Sequence, residues 1–154
     1  MMQAGEAEIS HGTDMVSDEA MHDFLGYSLK RAYMSVRRET AGAMEDFGLK
    51  VRSFSALTLI VANPGISPSL LAEVLQMERP NVVLIIDELE TRELISRTRD
   101  PKDRRRFALN ATLRGKHVQQ KTAAAAAARE EKITARFTAQ EYEMLKVFLR
   151  RIGA

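Results

Sequence analysis

Two helix-start signals lie close together in the middle of the chain, and they constrain the fold more than any other feature. Ser67-Pro68 places an N-cap serine before a proline at the first helical position, and Arg79-Pro80-Asn81 repeats the proline signal. This pattern predicts a short helix, a tight turn and a second helix that extends to about Arg92. The apolar residues of the short helix are Leu70, Leu71, Val74 and Leu75.

A short β-hairpin is predicted directly after the second helix. The segment from Leu94 to Arg99 has a strand-compatible pattern, D-P-K-D is a turn, and the segment from Arg106 to Ala111 returns with alternating apolar residues. Two tight helices followed by a hairpin are the layout of a winged helix–turn–helix. The expected fold class is therefore mainly α with one small β-hairpin.

A long amphipathic helix is predicted before this core. Ser17 is its candidate N-cap, apolar residues recur at spacings of three, four and seven from Met21 to Phe47, and Gly48 supplies the stop. Residues 1–16 show no period, which is typical of a mobile tail.

Three further helices complete the prediction. Val51–Ala62 is apolar almost all round and is expected to be central, since such helices are buried. Another long helix begins near Thr112 and extends past the alanine run 123–128, and Thr138-Ala139-Gln140-Glu141 is a capping box that opens the last helix. The expected organisation is a tail at 1–16, helical arms at 17–50 and 112–154, and a central core at 51–111.

The positive charge is concentrated in the predicted hairpin. The window from Arg97 to Lys116 contains eight cations and two acids, a net +6, whereas the rest of the chain carries 15 cations and 19 acids, a net −4. Such a patch can dock a polyanion because neutralising phosphates releases counterions. A solvated charged loop is the alternative interpretation, and the structural context decides between them.

The helix after Pro80 has two distinct faces. Its inward stripe is Val82, Ile85, Ile86 and Leu89, and its outward residues are Asn81, Val83, Leu84, Asp87 and Glu88. A helix that reads the major groove contacts bases through its N-terminal turns. Asn81 is therefore a candidate partner of adenine, and Val83 and Leu84 are candidates for contact with thymine methyl groups. The alternative is that Val83 and Leu84 extend the core around a fully buried helix.

The hairpin tip supplies a second set of candidates. Arg105 is suited to a narrow minor groove, where the negative potential is strongest, and Asp103 is placed to hold its guanidinium. Lys102, Arg104 and Arg106 would then meet phosphates.

The stretch from Asn63 to Gly115 resembles the multiple-antibiotic-resistance regulator (MarR) family of bacterial winged-helix repressors. The resemblance is carried by P-G-I-S-P-S-L-L-A-E-V-L, V-V-L-I-I-D-E-L-E, L-I-S-R and D-P-K-D-R-R-R-F-A-L-N-A-T-L-R-G. The last motif is similar to the family's wing signature, with Asp103, Arg104, Arg105, Leu109, Thr112 and Gly115 in the expected places. The residues expected to contact DNA are Ser67, Ser69, Arg79, Pro80, Asn81, Val83, Leu84, Arg99, Lys102, Asp103, Arg104, Arg105 and Arg106.

Three positions depart from the family pattern. Glu93 stands where a glycine usually follows the recognition helix, and a left-handed turn there would cost a non-glycine residue about 1 kcal/mol. Leu84 stands where a polar or basic reader is more usual, and Ala111 where the wing usually has leucine.

A homodimer is the expected assembly. The arm helices cannot bury their apolar stripes on so small a core, and pairing with a second chain would give a twofold dimer whose reading heads face one side of DNA. The alanine run 123–128 would let helices approach closely, although a solvated helix of high propensity explains it equally well. The resemblance implies the same dimer, formed by the terminal helices on pseudo-palindromic DNA.

The resemblance also implies a small anionic effector that releases the DNA. The stretch G-Y-S-L-K-R-A-Y is similar to regulators of aromatic-acid catabolism, some of which sense acyl-CoA thioesters, so an aromatic acid or its CoA thioester is the candidate ligand. Residues of the first helix could hold its ring and its charge, although solvated surface side chains are the simpler explanation for any one of them. They are Tyr27, Arg31, Tyr33, Arg37 and Arg38.

Other classes of protein find less support. With no cysteine and with His11, His22 and His117 scattered, no metal motif is present, and no nucleophile elbow, phosphate loop or HExxH motif indicates an enzyme or a cofactor. The longest uncharged stretch is broken by Asn63-Pro64-Gly65 and the N-terminus does not resemble a signal peptide, so no membrane association and a cytoplasmic location are expected. The alternative function is a winged-helix protein–protein adaptor that uses Val83 and Leu84 as a partner patch.

Overall fold

The computed structural model describes residues 17–99 and 107–153. Within these ranges the chain forms six α-helices and one two-stranded antiparallel sheet, which confirms the predicted fold class. The predicted tail at 1–16 and the hairpin tip lie outside the described residues. The elements are a 3-10 turn at Glu19–Met21, α1 Leu25–Glu45, α2 Val51–Ala62, α3 Pro68–Val74, α4 Arg79–Thr91, β1 Ile95–Arg99, β2 Phe107–Ala111, α5 Leu113–Thr134 and α6 Ala139–Ile152.

The prediction that the first helix begins at Ser17 is wrong. The Ser17 hydroxyl accepts a hydrogen bond from the Glu19 amide, but only a 3-10 turn follows, and α1 starts at Leu25. The Asp18 carboxylate is bonded instead to the Tyr27 hydroxyl, further along the chain. A continuous helix would separate these two residues by about 13 Å along its axis, so the chain has to turn back between them. At the other end Gly48 adopts a positive φ of 65° and terminates the helix, as predicted.

Contacts divide the chain into two compact units, with the boundary in the sequence between Arg37 and Arg38. The second unit contains the hydrophobic core. Helix α2 contributes Ala56, Leu57 and Ile60, all without solvent exposure, which confirms its predicted central position. The other core residues include Leu49, Leu71, Val82, Ile86, Leu89, Leu94 and Leu109.

The helix–turn–helix is positioned by local signals. The Ser67 hydroxyl accepts from the Leu70 amide at 3.2 Å, and Pro68 occupies the first helical turn, as the sequence predicts. The α4 helix begins at Arg79 without a side-chain cap. Its predicted inward stripe is buried in full, so the orientation of α4 about its own axis is fixed by packing.

The root of the hairpin is fixed to the turn before α3. Strands β1 and β2 pair antiparallel, with Ile95 opposite Ala111 and Arg99 opposite Phe107. Leu109 also bonds across to the turn, since its amide donates to the Ile66 carbonyl at 3.0 Å and its carbonyl accepts from the Gly65 amide at 2.9 Å. The wing therefore leaves the core from a defined base.

Helix α5 starts in close contact with the end of α4. The Thr112 hydroxyl accepts from the Gly115 amide at 2.9 Å and donates to the Glu93 carbonyl at 2.7 Å. A Cβ on Gly115 would lie 1.9 Å from the Leu94 carbonyl oxygen, so this approach requires glycine. At α6 the predicted capping box of Thr138 and Glu141 is present.

The alanine run does not have one role along its length. Ala126 packs against the core, whereas Ala124, Ala127 and Ala128 are exposed. In the described ranges, no helix combines the length and the apolarity that crossing a bilayer requires.

Candidate nucleic-acid interface

The outer face of α4 exposes apolar side chains at its N-terminal end. Leu84 is 67% exposed and Val83 is 45% exposed, and Asn81 is also open to solvent. The alternative in which Val83 and Leu84 extend the core is therefore wrong. Because the opposite stripe of the same helix is buried, the exposed residues form a supported surface that faces outwards.

One predicted outward residue of α4 is instead partly covered. Glu88 is half-buried and accepts a hydrogen bond at 3.0 Å from Ser53, which is buried in the first turn of α2. The prediction that Glu88 faces fully outwards is wrong because its carboxylate satisfies this hydroxyl. The outward face therefore consists of Asn81, Val83, Leu84 and Asp87.

The first helix of the motif has a smaller exposed surface. Ser69 is open to solvent in the first turn of α3, while Ser67 is half-buried and its oxygen already caps the helix. Arg79 and Pro80 at the start of α4 are exposed. Ser67 and Ser69 thus lie at the N-terminal end of α3, and Arg79 and Pro80 at the N-terminal end of α4.

The described part of the wing ends in an arginine over an aromatic ring. The guanidinium of Arg99 lies 5.6 Å from the ring centre of Phe107, its neighbour across the strands. The predicted contact residues Lys102, Asp103, Arg104, Arg105 and Arg106 lie outside the described residues, so the pairing of Asp103 with Arg105 stays a prediction.

Arg97 in β1 is held by two acids of α4. Its Nε donates to Glu90 Oε2 at 2.7 Å, its Nη2 donates to Asp87 Oδ1 at 2.5 Å, and its backbone amide faces Glu90 Oε1 at 3.3 Å. Hydrogen bonds from Arg97 lower the pKa of Glu90, and those same bonds raise the pKa of Arg97. The prediction that Arg97 belongs to the basic patch is therefore wrong, because two carboxylates of α4 neutralise its charge and their bonds fix β1 on α4.

A second arginine holds the C-terminal end of α4 to the end of α1. Arg92 donates to the Phe47 carbonyl at 2.8 Å and to the Gly48 carbonyl at 2.5 Å. These carbonyls belong to the turn after α1, where the helix leaves acceptors without intrahelical partners. Sequence reasoning missed this contact because its partners lie more than forty residues apart.

The residue after α4 has the strained conformation that the family comparison raised. Glu93 has a φ of 57°, in the left-handed region that favours glycine, and its carboxylate lies 3.1 Å from Arg114. Gln76, before the second helix of the motif, has a φ of 50° and was not foreseen. Both turns that bracket α4 are therefore left-handed at a non-glycine residue.

A groove of about 220 Å³ runs beside the exposed end of α4. Its lining includes the cations Lys50 and Arg52 from the start of α2 and Asn81, Leu84 and Glu88 from α4. Sequence reasoning missed both cations. The available signal was their position at the start of α2, since the positive end of a helix dipole disfavours cations unless an anion is bound there.

In the first unit, two of the predicted effector residues meet on one carboxylate. Asp18 Oδ2 accepts from the Tyr27 hydroxyl and from Arg31 Nη1, and Asp18 Oδ1 lies 3.4 Å from His22 Nε2. The pKa of Asp18 is lowered, chiefly by the hydrogen bond from Tyr27, and the pKa of Arg31 is raised. Tyr27 and Arg31 therefore both bind the carboxylate of Asp18.

The other predicted effector residues are not part of this cluster. Tyr33 is 58% exposed, and Arg37 follows it one turn later on a different face of α1 from Tyr27 and Arg31. Arg38 is exposed and belongs to the second unit. The five predicted residues thus divide into a pair bonded to Asp18 and three exposed side chains.

Comparison with known proteins agrees with the geometry. The MarR family model matches residues 49–107. A Thauera aromatica protein assigned to transcriptional regulation of the hcr operon is 29% identical over 147 residues, which cover 95% of this chain and 84% of that protein.

Solved structures show the same likeness. The transcriptional repressor CouR, bound to a 23-mer DNA duplex, is 32% identical to this chain and superposes with a TM-score of 0.85. The alignment covers 92% of this chain and 100% of the CouR chain. CouR from Rhodococcus jostii RHA1, bound to p-coumaroyl-CoA, is 28% identical with a TM-score of 0.78, covering 88% and 95% of the two chains. With its winged helix–turn–helix and these relatives, the chain belongs to the MarR family of transcriptional regulators.

Proposed function

We propose that this regulator is a cytoplasmic repressor that binds a pseudo-palindromic operator in double-stranded DNA as a homodimer and is released by a small anionic ligand. The observation that carries the proposal is the division of α4 into a buried stripe and an exposed N-terminal surface of Asn81, Val83 and Leu84. A helix of this kind can enter a major groove while its scaffold stays rigid. The duplex bound to the similar repressor CouR supports this reading.

Each contact group has a distinct task in the proposal. Asn81 reads adenine, and Val83 and Leu84 lie against thymine methyl groups. Cations position the duplex through its phosphates, with Lys50 and Arg52 added to those predicted from the sequence. Arg105, held by Asp103, reads the minor groove. The remaining predicted contact residues lie around the exposed face of α4 and on the wing. They are Ser67, Ser69, Arg79, Pro80 and Arg99.

The dimer is supported by apolar surface that the single chain leaves uncovered. Monomers rarely expose so many large apolar side chains on terminal helices, and burying them against a second copy would remove them from water. We assign residues 17–50 and 112–154 to these arms and 51–111 to the DNA-binding core. In the first unit the exposed residues are Met21, Phe24, Leu25, Tyr33 and Met34, and at the C-terminal end they are Phe137, Met144, Val147, Phe148, Leu149 and Ile152.

The effector in this proposal is an aromatic acid or its CoA thioester. Tyr27 and Arg31 form a pair that already holds a carboxylate, which supports an anionic ligand. Tyr33, Arg37 and Arg38 are exposed and available for a ring and for phosphates. The similar repressor CouR has been solved with p-coumaroyl-CoA bound, which makes an acyl-CoA the first ligand to test.

Fluorescence anisotropy with the region upstream of the regulator's own gene tests the proposal. We expect specific binding that weakens steeply with salt, relative to a shuffled duplex of the same length, and release by p-coumaroyl-CoA or by p-coumarate. Arg105→Ala should weaken binding while the dimer stays intact in sedimentation. Arg136→Ala, an exposed arginine after α5, is the matched control and should bind normally. Equal affinity for both duplexes would contradict the proposal.

One observation favours a second function. The exposed Val83 and Leu84 would equally suit a protein partner, as in a winged-helix adaptor that lacks sequence-specific DNA binding. The same measurement separates the two, because an adaptor would bind no duplex at low salt. The cations Lys50 and Arg52, which line a groove with Leu84, favour DNA.

A further inference from the structure

The Asp18 carboxylate does not perform the role that its position suggests. It stands at the N-cap of the 3-10 turn Glu19–Met21, yet it makes no hydrogen bond to the backbone of that turn. Its partners are side chains further along the chain, namely the Tyr27 hydroxyl, Arg31 Nη1 and, at 3.4 Å, His22 Nε2. The carboxylate therefore bonds to side chains of α1 and contacts His22, and it does not cap its own turn.

The set of groups around this carboxylate is that of an anion receptor. A guanidinium and a phenol converge on one oxygen, an imidazole faces the other, and the guanidinium also lies over the phenol ring at 5.9 Å from its centre. Charge-assisted donors of this kind recognise carboxylate and phosphate oxygens alike. The pair Tyr27 and Arg31 would hold the same groups of an incoming ligand.

Little else holds Asp18 in place. Every residue from Glu19 to Gly26 is exposed, and the 3-10 turn buries none of its residues. Displacing the carboxylate therefore exposes no apolar core. The side chains of Asp18 and Arg31 are each about one-third exposed, so water still screens their ion pair and a ligand with an anionic group can compete with it.

We propose that Asp18 is an internal competitor that occupies the anion receptor of Tyr27 and Arg31 and has to leave when a carboxylate or phosphate group of the effector binds. The inference rests on the proposed function, in which Tyr27 and Arg31 hold that group. It assigns Asp18 a task of its own: to set the ligand concentration at which the regulator responds. The apparent affinity falls by the fraction of time for which the receptor is occupied.

Isothermal calorimetry with p-coumaroyl-CoA, benzoate and inorganic phosphate tests the proposal on the full-length protein. Asp18→Asn removes the competing charge and should tighten binding of at least one probe by about two- to tenfold. Asp23→Asn is the matched control, because Asp23 is an exposed aspartate close to the same turn, and it should bind as the unaltered protein does. Asp18→Glu keeps a carboxylate within reach of Tyr27 and Arg31, and it should also bind the probes as the unaltered protein does.

Three results would overturn the proposal. Asp18→Asn could bind no probe, could bind no more tightly than the unaltered protein, or could be matched by Asp23→Asn, which would indicate a long-range effect of charge. Arg31→Gln separates this failure from that of the proposed function. Unchanged ligand binding in Arg31→Gln would remove the effector site together with the competitor, whereas weaker binding with no gain in Asp18→Asn would remove the competitor alone.

Discussion

The two ends of α4 differ in how they are held. At its N-terminal end the helix has no side-chain cap and presents Asn81, Val83 and Leu84 to solvent. At its C-terminal end Arg92 bonds to the end of α1 and Arg97 bonds to Asp87 and Glu90 from the wing. The N-terminal end of α4 is therefore open to a ligand, while α1, β1 and α5 fix the C-terminal end in place.

The largest effect is expected where α5 meets the end of α4. Gly115→Ala places a Cβ 1.9 Å from the Leu94 carbonyl oxygen, so backbone has to move and the free energy of unfolding should fall by about 3 kcal/mol or more. Gly26→Ala is the matched control, because nothing lies within 4 Å of the new methyl group in α1, and it should stabilise the protein by about 0.5–1 kcal/mol. Urea denaturation measures both, and equal stability of the two variants would contradict the packing described for α5.

At the free end of α4, a substitution should alter specificity and leave stability unchanged. Asn81→Ala should relax the preference at one base pair by about 1–3 kcal/mol, because the amide would otherwise pair with adenine. Anisotropy against a set of single-base operator variants measures this change, with thermal unfolding as the check on stability. A uniform loss over all variants would mean that Asn81 positions the helix and does not read a base.

At the C-terminal end of α4, a substitution should weaken DNA binding by loosening the contact between the helix and the wing. Arg97→Met leaves Asp87 and Glu90 without their bridge to β1, and we expect the affinity for the operator to fall about tenfold. Arg97→Lys distinguishes the cause, because lysine keeps the charge but cannot form the same two-pronged contact. If Arg97→Lys binds as tightly as the unaltered protein, Arg97 acts as a simple cation and the contrast between the ends fails.

The left-handed residue after α4 offers a gain in stability. Glu93→Gly removes the strain at a φ of 57° and should raise the free energy of unfolding by about 0.5–1 kcal/mol, with little loss from its exposed pair with Arg114. Chemical denaturation measures the gain, and Arg114→Ala serves as the control for the ion pair. A loss of stability in Glu93→Gly would show that the carboxylate matters more than the backbone.

The smallest expected effect is on how the free energy of unfolding declines at acidic pH. Arg97 holds the pKa of Glu90 below its ordinary value of 4.5 in the folded state. The contribution of the ionised carboxylate is therefore present above that value and is lost as the pH falls through the folded-state pKa. Glu90→Gln should show a shallower decline in stability below about pH 4.5 than the unaltered protein. If the two proteins lose stability equally with falling pH, Arg97 and Glu90 are not coupled in solution.

Features set by a few consecutive residues could be predicted from the sequence. The Ser67 cap, the capping box of Thr138 and Glu141, and the buried stripe of α4 depend only on local spacing, and all three are present. The family pattern singled out Glu93 as a residue that a left-handed turn would strain, and the structure contains that turn.

Features that depend on distant partners could not be predicted in this way. The contacts of Arg92 with Phe47 and Gly48 join residues that only the tertiary fold brings together. The start of α1 was misplaced because the local signal at Ser17 opens only a 3-10 turn, after which the chain folds back and brings Asp18 to Tyr27. Residues 100–106, on which the wing contacts depend, remain predictions from the sequence.

The central claim is that the free end of α4 and the wing read DNA together as a symmetric pair, and a hydroxyl-radical footprint of the regulator's upstream region tests it most directly. We expect two protected half-sites whose centres lie about one helical turn, or 10 base pairs, apart, with protection lost in Arg105→Ala. A single protected half-site, or uniform protection along the fragment, would contradict the account.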